Sequence, residues 1–249
     1  MADEIDYREC PGGISPWPYL VALVVALLLS VGLRLRIIEH VLRVQDSSHW
    51  MMVLIQRSLL VLFAALLLAF CGLFLLRVIP GCRRGEVPSR MQLGLLVQLA
   101  SGMGAANLLS ENLAIYRENL SSYTLLTDAF MLYLSISLIF LFWYWFVDNP
   151  LRRSGLLWEQ QQADPVGLST PYGIVFPEET LEREVLRSDR WQPGFVDYVY
   201  FSILSSNCFG PPEGHLLVGR PIKLLHIAHS LAMITVFIVI LARAINTLA

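Results

Sequence analysis

The chain has 249 residues, of which 55% are hydrophobic and 15% charged, with a mean hydropathy of +0.58. Ordinary soluble domains carry about 25% charged residues, so this balance excludes a purely soluble protein and makes lipid the solvent for part of the chain. The formal net charge of −2 points to no nucleic-acid partner, and Cys10, Cys71, Cys82 and Cys208 have neither metal-like nor paired spacing.

Residues 1–16 are acidic and rich in Pro and Gly. A cleavable signal needs a basic start followed at once by an apolar core, so this stretch reads as a polar lead-in to a retained span. Apolar runs long enough to cross a bilayer follow at Tyr19–Leu33, extended upstream by Trp17, and at Ser58–Leu76. Two more lie at Ala129–Val147, whose Trp143-Tyr144-Trp145 end suits an interfacial belt, and at Leu224–Leu241. Cys71 lies inside the second run and reads, like Cys208, as a free thiol.

A further segment, Met91–Tyr116, has the length but carries Gln98, Asn107, Ser110, Glu111 and Asn112. So polar a helix should not face lipid all round. Its Ser101, Gly102, Gly104, Ala105 and Ala106 permit close approach of a neighbour, which places it inside the bundle. Glu111 faces either protein or the headgroup boundary.

Five spans put the termini on opposite sides. The sizeable polar region between the last two reads as an extramembrane cap over 148–194, since ~45 residues build little core alone. Its "PEETLEREVLRSDRW" stretch predicts a short surface helix capped by Thr180. The chain then divides into a lead-in (1–16), a three-helix region (17–123) and a last module (124–249) with outer helix 129–147 and inner helix 221–247.

Before the inner helix stands "DYVYFSILSSNCFGPPEGHL", Asp197–Leu216. It begins as an amphipathic helix too short to span at 1.5 Å per residue. It then breaks into small and turn-forming residues, and Gly210-Pro211-Pro212 cannot continue a helix. Non-helical backbone at membrane depth is tolerated only where protein buries it or it lines water. The expected fold is therefore an all-α polytopic transmembrane bundle with a re-entrant pore-loop half-helix, the half-helix and loop covering 195–213.

The outer helix, this loop and the inner helix resemble the two-helix pore module of the potassium-channel superfamily. Asp197, Tyr200, Phe201, Ser202, Gly210 and Glu213 fall on matching kinds of position, and "ILARAINTL" is similar to inner-helix ends of small bacterial channels. The chain is also similar to bacterial five-span membrane proteins with filter-less loops. The resemblance implies a homo-tetramer in a bacterial inner membrane passing an inorganic ion, a cation in preference, with Ser205, Ser206, Asn207, Cys208, Phe209, Gly210, Pro211, Pro212 and Glu213 at the pore. Where the family has Thr-Val-Gly-Tyr-Gly, however, this chain has Cys208-Phe209-Gly210-Pro211-Pro212. Such a filter stacks backbone carbonyls around the ion, and its glycines adopt angles that Pro212, held near a φ of about −65°, cannot reach. A different constriction or a non-conducting scaffold or sensor follows.

Four Asn207 amides and four Glu213 carboxylates around an axis would form rings, and a Glu ring concentrates cations. The plainer reading has Asn207 capping a turn and Glu213 solvated. His226 and His229, three apart on the inner helix, share a face. They either bond to Ser230, Thr235 or another helix's backbone, or line the axis and titrate. No third ligand suggests a metal, no cofactor motif occurs, and no hydrolase, zincin or phosphate-loop pattern is present. An intramembrane enzyme using Glu111 with His226 or His229 is the remaining alternative to a chain that is no enzyme.

Basic residues favour the side holding the N-terminus, 77–90 and 148–223 as cytoplasmic. The channel resemblance implies the reverse and is the orientation preferred here. An inverted module, as in glutamate receptors, a misassigned third segment, or arginines held by acidic partners such as Glu178 to Glu184 would reconcile the two.

Overall fold

The computed structural model describes residues 15–43, 50–79, 88–114, 122–161, 173–180 and 191–248. It is mostly helical, and five helices are long and apolar enough to cross a membrane. The chain is a multi-pass membrane protein by that measure. Helix α1 (Trp17–Arg43) is followed by α2 (Trp50–Leu73), which continues as a π-helical turn over Phe74–Val78. Then come α3 (Arg90–Ala114) and α4 (Ser122–Gln161). A two-stranded antiparallel ribbon joins β1 (Gly173–Val175) to β2 (Leu216–Val218), and between them lies α5 (Phe195–Cys208). The last helix is α6 (Arg220–Leu248).

Helix α4 is the centre. Helices α1, α3, α5 and α6 all pack on it, whereas α2 packs mainly on α3. Accordingly α2 is the most apolar span and the least covered: only 11% of its best window is buried, against 50% for α3 and α4. Its side chains Leu54, Val61, Leu62, Leu68 and Leu76 point outward, as a lipid-facing helix requires. The polar α3 is buried, and its small residues let it lie close to its neighbours. A Cβ on Gly104 would meet Ile139 at 3.1 Å, and one on Gly102 would meet Leu66 at 3.0 Å.

Three expectations need correction. The outer helix does not stop at Val147 but runs through Pro150 to Gln161, so the first part of the 148–194 region is helical. The Trp143–Trp145 run is not a lipid-facing belt. Tyr144 and Trp145 are buried, Trp145 stacks on Tyr19 of α1, and Trp143 Nε1 donates to Ser101 of α3 at 2.8 Å. The turn Pro177–Thr180 is 3-10 helical, and the helix expected after it lies outside the described residues.

The ends of α1, α4, α5 and α6 meet at one pole. Tyr19 near the start of α1 packs on Trp145 of α4 and on Phe195 and Tyr198 of α5. At the other pole, Arg34 of α1 donates to Ser110 of α3 at 2.8 Å, with Glu111 in electrostatic reach and its guanidinium over Phe63 of α2. Gln56 Nε2 of α2 donates to the Ser110 carbonyl, and Arg36 is ion-paired with Asp128. Glu111 is thus buried against protein, which resolves the choice the sequence left open. One layer deeper, Ser30 and Ser135 bond through their hydroxyls at 2.7 Å, and Asn107 donates to the Ser30 carbonyl.

Candidate functional site

The polar residues with most to do lie where α4, α5 and α6 meet. Asp148 ends the apolar part of α4 and is fully buried. Its Oδ2 accepts from Arg152 Nε and from the Tyr198 hydroxyl of α5, each at 2.5 Å. Its Oδ1 accepts from the Ile174 amide of β1 at 2.6 Å. Arg152, one turn later on α4, also donates to the Ile174 carbonyl and to Glu179, and its guanidinium lies over the Phe176 ring. One carboxylate therefore holds a transmembrane helix, the ribbon and α5 together. Burial, then the Asp148 charge, holds the Tyr198 phenol well above its ordinary value. Burial alone would lower the Arg152 guanidinium, but Asp148, Tyr198 and Glu179 carry it above its usual range.

Helix α5 starts beside this cluster. Asp197 Oδ2 accepts from the Gly194 amide at 2.6 Å, tying down the helix start. Going along α5, Tyr198 meets Asp148, Ser202 donates to the Ser137 carbonyl, Ser206 contacts the Ser137 hydroxyl at 2.9 Å, and Asn207 Oδ1 accepts from the Tyr133 hydroxyl at 2.8 Å. Its partners run backward along α4, so the two helices are antiparallel. Tyr133 lies about 25 Å from Pro150 along the α4 axis, well inside the 126–150 span.

After α5 the chain returns. Phe209, with φ of 54°, is the one non-glycine residue in left-handed backbone among the described residues. Its ring packs on Phe237 of α6, and its carbonyl accepts from Ser230. The His215 amide bonds the Pro212 carbonyl to close a turn, and Leu216–Val218 rejoin β1 beside Asp148.

The expected site residues divide. Ser205, Ser206, Asn207 and Cys208 belong to the last turn of α5 and not to an irregular loop. Ser205 and Ser206 face the bundle, while Asn207 and Cys208 are exposed. Phe209, Pro211 and Glu213 are exposed, Gly210 is half-buried and Pro212 is buried. Gly210 does not take a positive φ, whereas Gly214 does. Cys71 and Cys208 are free thiols, and Cys10 and Cys82 lie outside the described residues.

His226 and His229 bond neither to Ser230 nor to Thr235, whose hydroxyls go to the carbonyls of Phe209 and Leu231. Both rings are buried and converge on one hydroxyl. Tyr144 Oη lies 3.1 Å from His226 Nδ1 and 2.9 Å from His229 Nδ1. His229 Nε2 reaches Ser206 Oγ at 2.9 Å, and the His229 ring stacks on Phe140 at 4.3 Å. Among the described residues no three His, Cys, Asp or Glu side chains converge as for a metal ion.

Asp148, Tyr198 and Tyr144 were not singled out from the sequence. One signal was there: Asp148 is the first charge after an uncharged run, and Arg152 follows four residues later, the helical spacing of an ion pair. Nothing local marks Tyr144, whose role comes from helices separated by more than 80 residues. Comparison with protein-family models, curated proteins and solved structures returns no match for this chain.

Proposed function

We propose that the chain is an ion-channel-like subunit whose copies, four in a ring, enclose a cation pathway of a type other than the potassium filter. The observation that carries this reading is Asn207. Its side chain is exposed on the subunit, yet its partner Tyr133 lies well inside a span. An amide at that depth is not left against lipid. Further copies around an axis would cover it and give it water. On this reading α5 is a re-entrant half-helix and residues 209–219 are its return, with Glu213 at the mouth.

The free thiol of Cys208 provides the test, since it is exposed next to Asn207. Oxidation of the full chain in lipid vesicles should crosslink subunits through Cys208, and Cys208→Ser should abolish the product. The same vesicles should pass small cations. Glu213→Gln should lower that flux several-fold at low salt, where screening is weakest, and less at high salt. Monomers with no Cys208 crosslink and no flux would overturn the pore. The second reading, a non-conducting scaffold or sensor, is favoured by the backbone itself: within 205–213 only Phe209 has a positive φ, and Pro212 stands where the family's filter needs glycine.

A further inference from the structure

The chain Ser206–His229–Tyr144–His226 is buried and joins three helices by hydrogen bonds. Its proton positions follow from counting donors. Ser206 Oγ lies 2.9 Å from the Ser202 carbonyl, the Ser137 hydroxyl and His229 Nε2 alike, with one proton to give; with that proton on the Ser202 carbonyl, the contact with His229 Nε2 is donated by the imidazole. His229 Nδ1 is then a bare lone pair and accepts from the Tyr144 hydroxyl. That oxygen in turn accepts from His226 Nδ1–H. His226 is left with a bare Nε2, which is buried and has no partner among the described residues. Reversing every donor flips both rings together. A tyrosine hydroxyl serving one Nδ1 as donor must meet the other as acceptor, so the two neutral histidines hold opposite tautomers.

We propose that His226, Tyr144 and His229 form a buried proton-binding site that takes up one proton and not two. The proton comes from water and forms an N–H bond at His226 Nε2, adding one positive charge and breaking no existing bond. His226 Nδ1–H stays on Tyr144, and Tyr144 still donates to His229. A second proton would have to enter at His229 Nδ1. There it would displace the Tyr144 donation and set two imidazolium rings against one hydroxyl.

Among the described residues, titratable groups on the elements packed at the site include Tyr144, Tyr133 and the Asp148–Arg152 pair on α4, Tyr198 and Cys208 on α5, His215 in the return, Lys223 on α6, and Tyr19 of α1 against Tyr198. The Phe140 ring stacks on His229 at 4.3 Å, and the Phe201 ring is tilted beside His226 at 6.2 Å. The site does not depend on whether the protein conducts.

The test is nitrogen NMR of the full chain, labelled with 15N-histidine, in detergent micelles or nanodiscs. The pH is lowered from about 8 to about 4.5, across the ordinary imidazole range. His226→Gln and His229→Gln assign the signals. The expected result is opposite tautomers at the start, then loss of the bare-nitrogen signal of His226 Nε2 while His229 stays neutral. Tyr144→Phe should uncouple the two tautomers and shift the His226 midpoint. Matching tautomers in the parent would overturn the proposal. So would uptake of two protons by the pair, or of none while the helical signal of the protein persists. If a glutamine variant does not fold, the tautomers and the proton count in the parent spectra still decide.

Discussion

Asp148 sits where an uncharged helix leaves the membrane, and its two oxygens accept three hydrogen bonds from three different elements. Removing the charge while keeping the shape leaves Arg152, in a largely buried position, with Glu179 as its one remaining carboxylate partner among the described residues. Breaking a buried pair this way costs about 3–5 kcal/mol, so Asp148→Asn should lower the unfolding temperature in detergent markedly. Gly173 makes a second test of the same contact. Its φ is 73°, and a Cβ there would stand 1.8 Å from Asp148 Oδ1. Gly173→Ala should therefore loosen the ribbon although it removes no charge, and limited proteolysis of the 173–180 region would read this out. Alkali should probe Tyr198. Burial and the Asp148 charge raise its folded-state value above that of the unfolded chain. Its contribution to stability is therefore complete below about pH 10 and lost as pH climbs beyond that. Thermal melts in the alkaline range should fall less steeply for Tyr198→Phe than for the parent; equal slopes would remove Tyr198 from the account.

At the scale of elements, the contrast between α2 and α3 decides how each tolerates change. Both carry glycine inside a span. A Cβ at Gly72 of α2 meets nothing within 4 Å, whereas one at Gly104 of α3 meets Ile139 of α4. Close helix contact in lipid depends on such small residues. Gly72→Leu should leave folding yield and melting temperature close to the parent. Gly104→Leu should force α3 away from α4 and cost about 1–3 kcal/mol, the range for overpacking. Matched losses from both would mean that α2 is covered by something other than lipid. The short helix α5 depends on neighbours in another way. Its 14 residues extend only about 20 Å, and it is held by Tyr198, Ser202 and Ser206 to α4 and by Ser206 to α6.

For the whole molecule, five spans place Ser89 and Glu213 at one pole and Trp50 at the other, all three exposed. In oriented vesicles, single cysteines at Ser89→Cys and Glu213→Cys should react with a membrane-impermeant thiol reagent from the same side. Trp50→Cys should react only from the opposite side. Cys10, Cys71, Cys82 and Cys208 are all replaced by serine for this measurement. Labelling of Ser89→Cys and Trp50→Cys from one side would break the five-span topology. The side that labels Glu213→Cys in intact cells would also settle whether the arginine excess or the channel resemblance predicts the orientation.

The sequence alone determined that this is a membrane protein, how many helices can cross, and which of them is too polar for lipid. These properties follow from transfer free energy summed over about 20 consecutive residues, so no partner is needed to read them. It also located the short helix before the last span, because Gly210-Pro211-Pro212 must end a helix wherever it lies. It broke that helix too early, at the small residues before Gly210, since small polar residues are equally at home in a last helical turn. Tertiary structure decided the rest. Trp143–Trp145 read as an interfacial belt because an aromatic cluster near a helix end has the same composition whether it faces lipid or α1 and α3. The roles of Asp148, Tyr144 and His229 depend on atoms brought within 3 Å from segments that are 23 to 85 positions apart. Hydrogen bonds act over that distance only, and local sequence does not encode which distant donor will arrive.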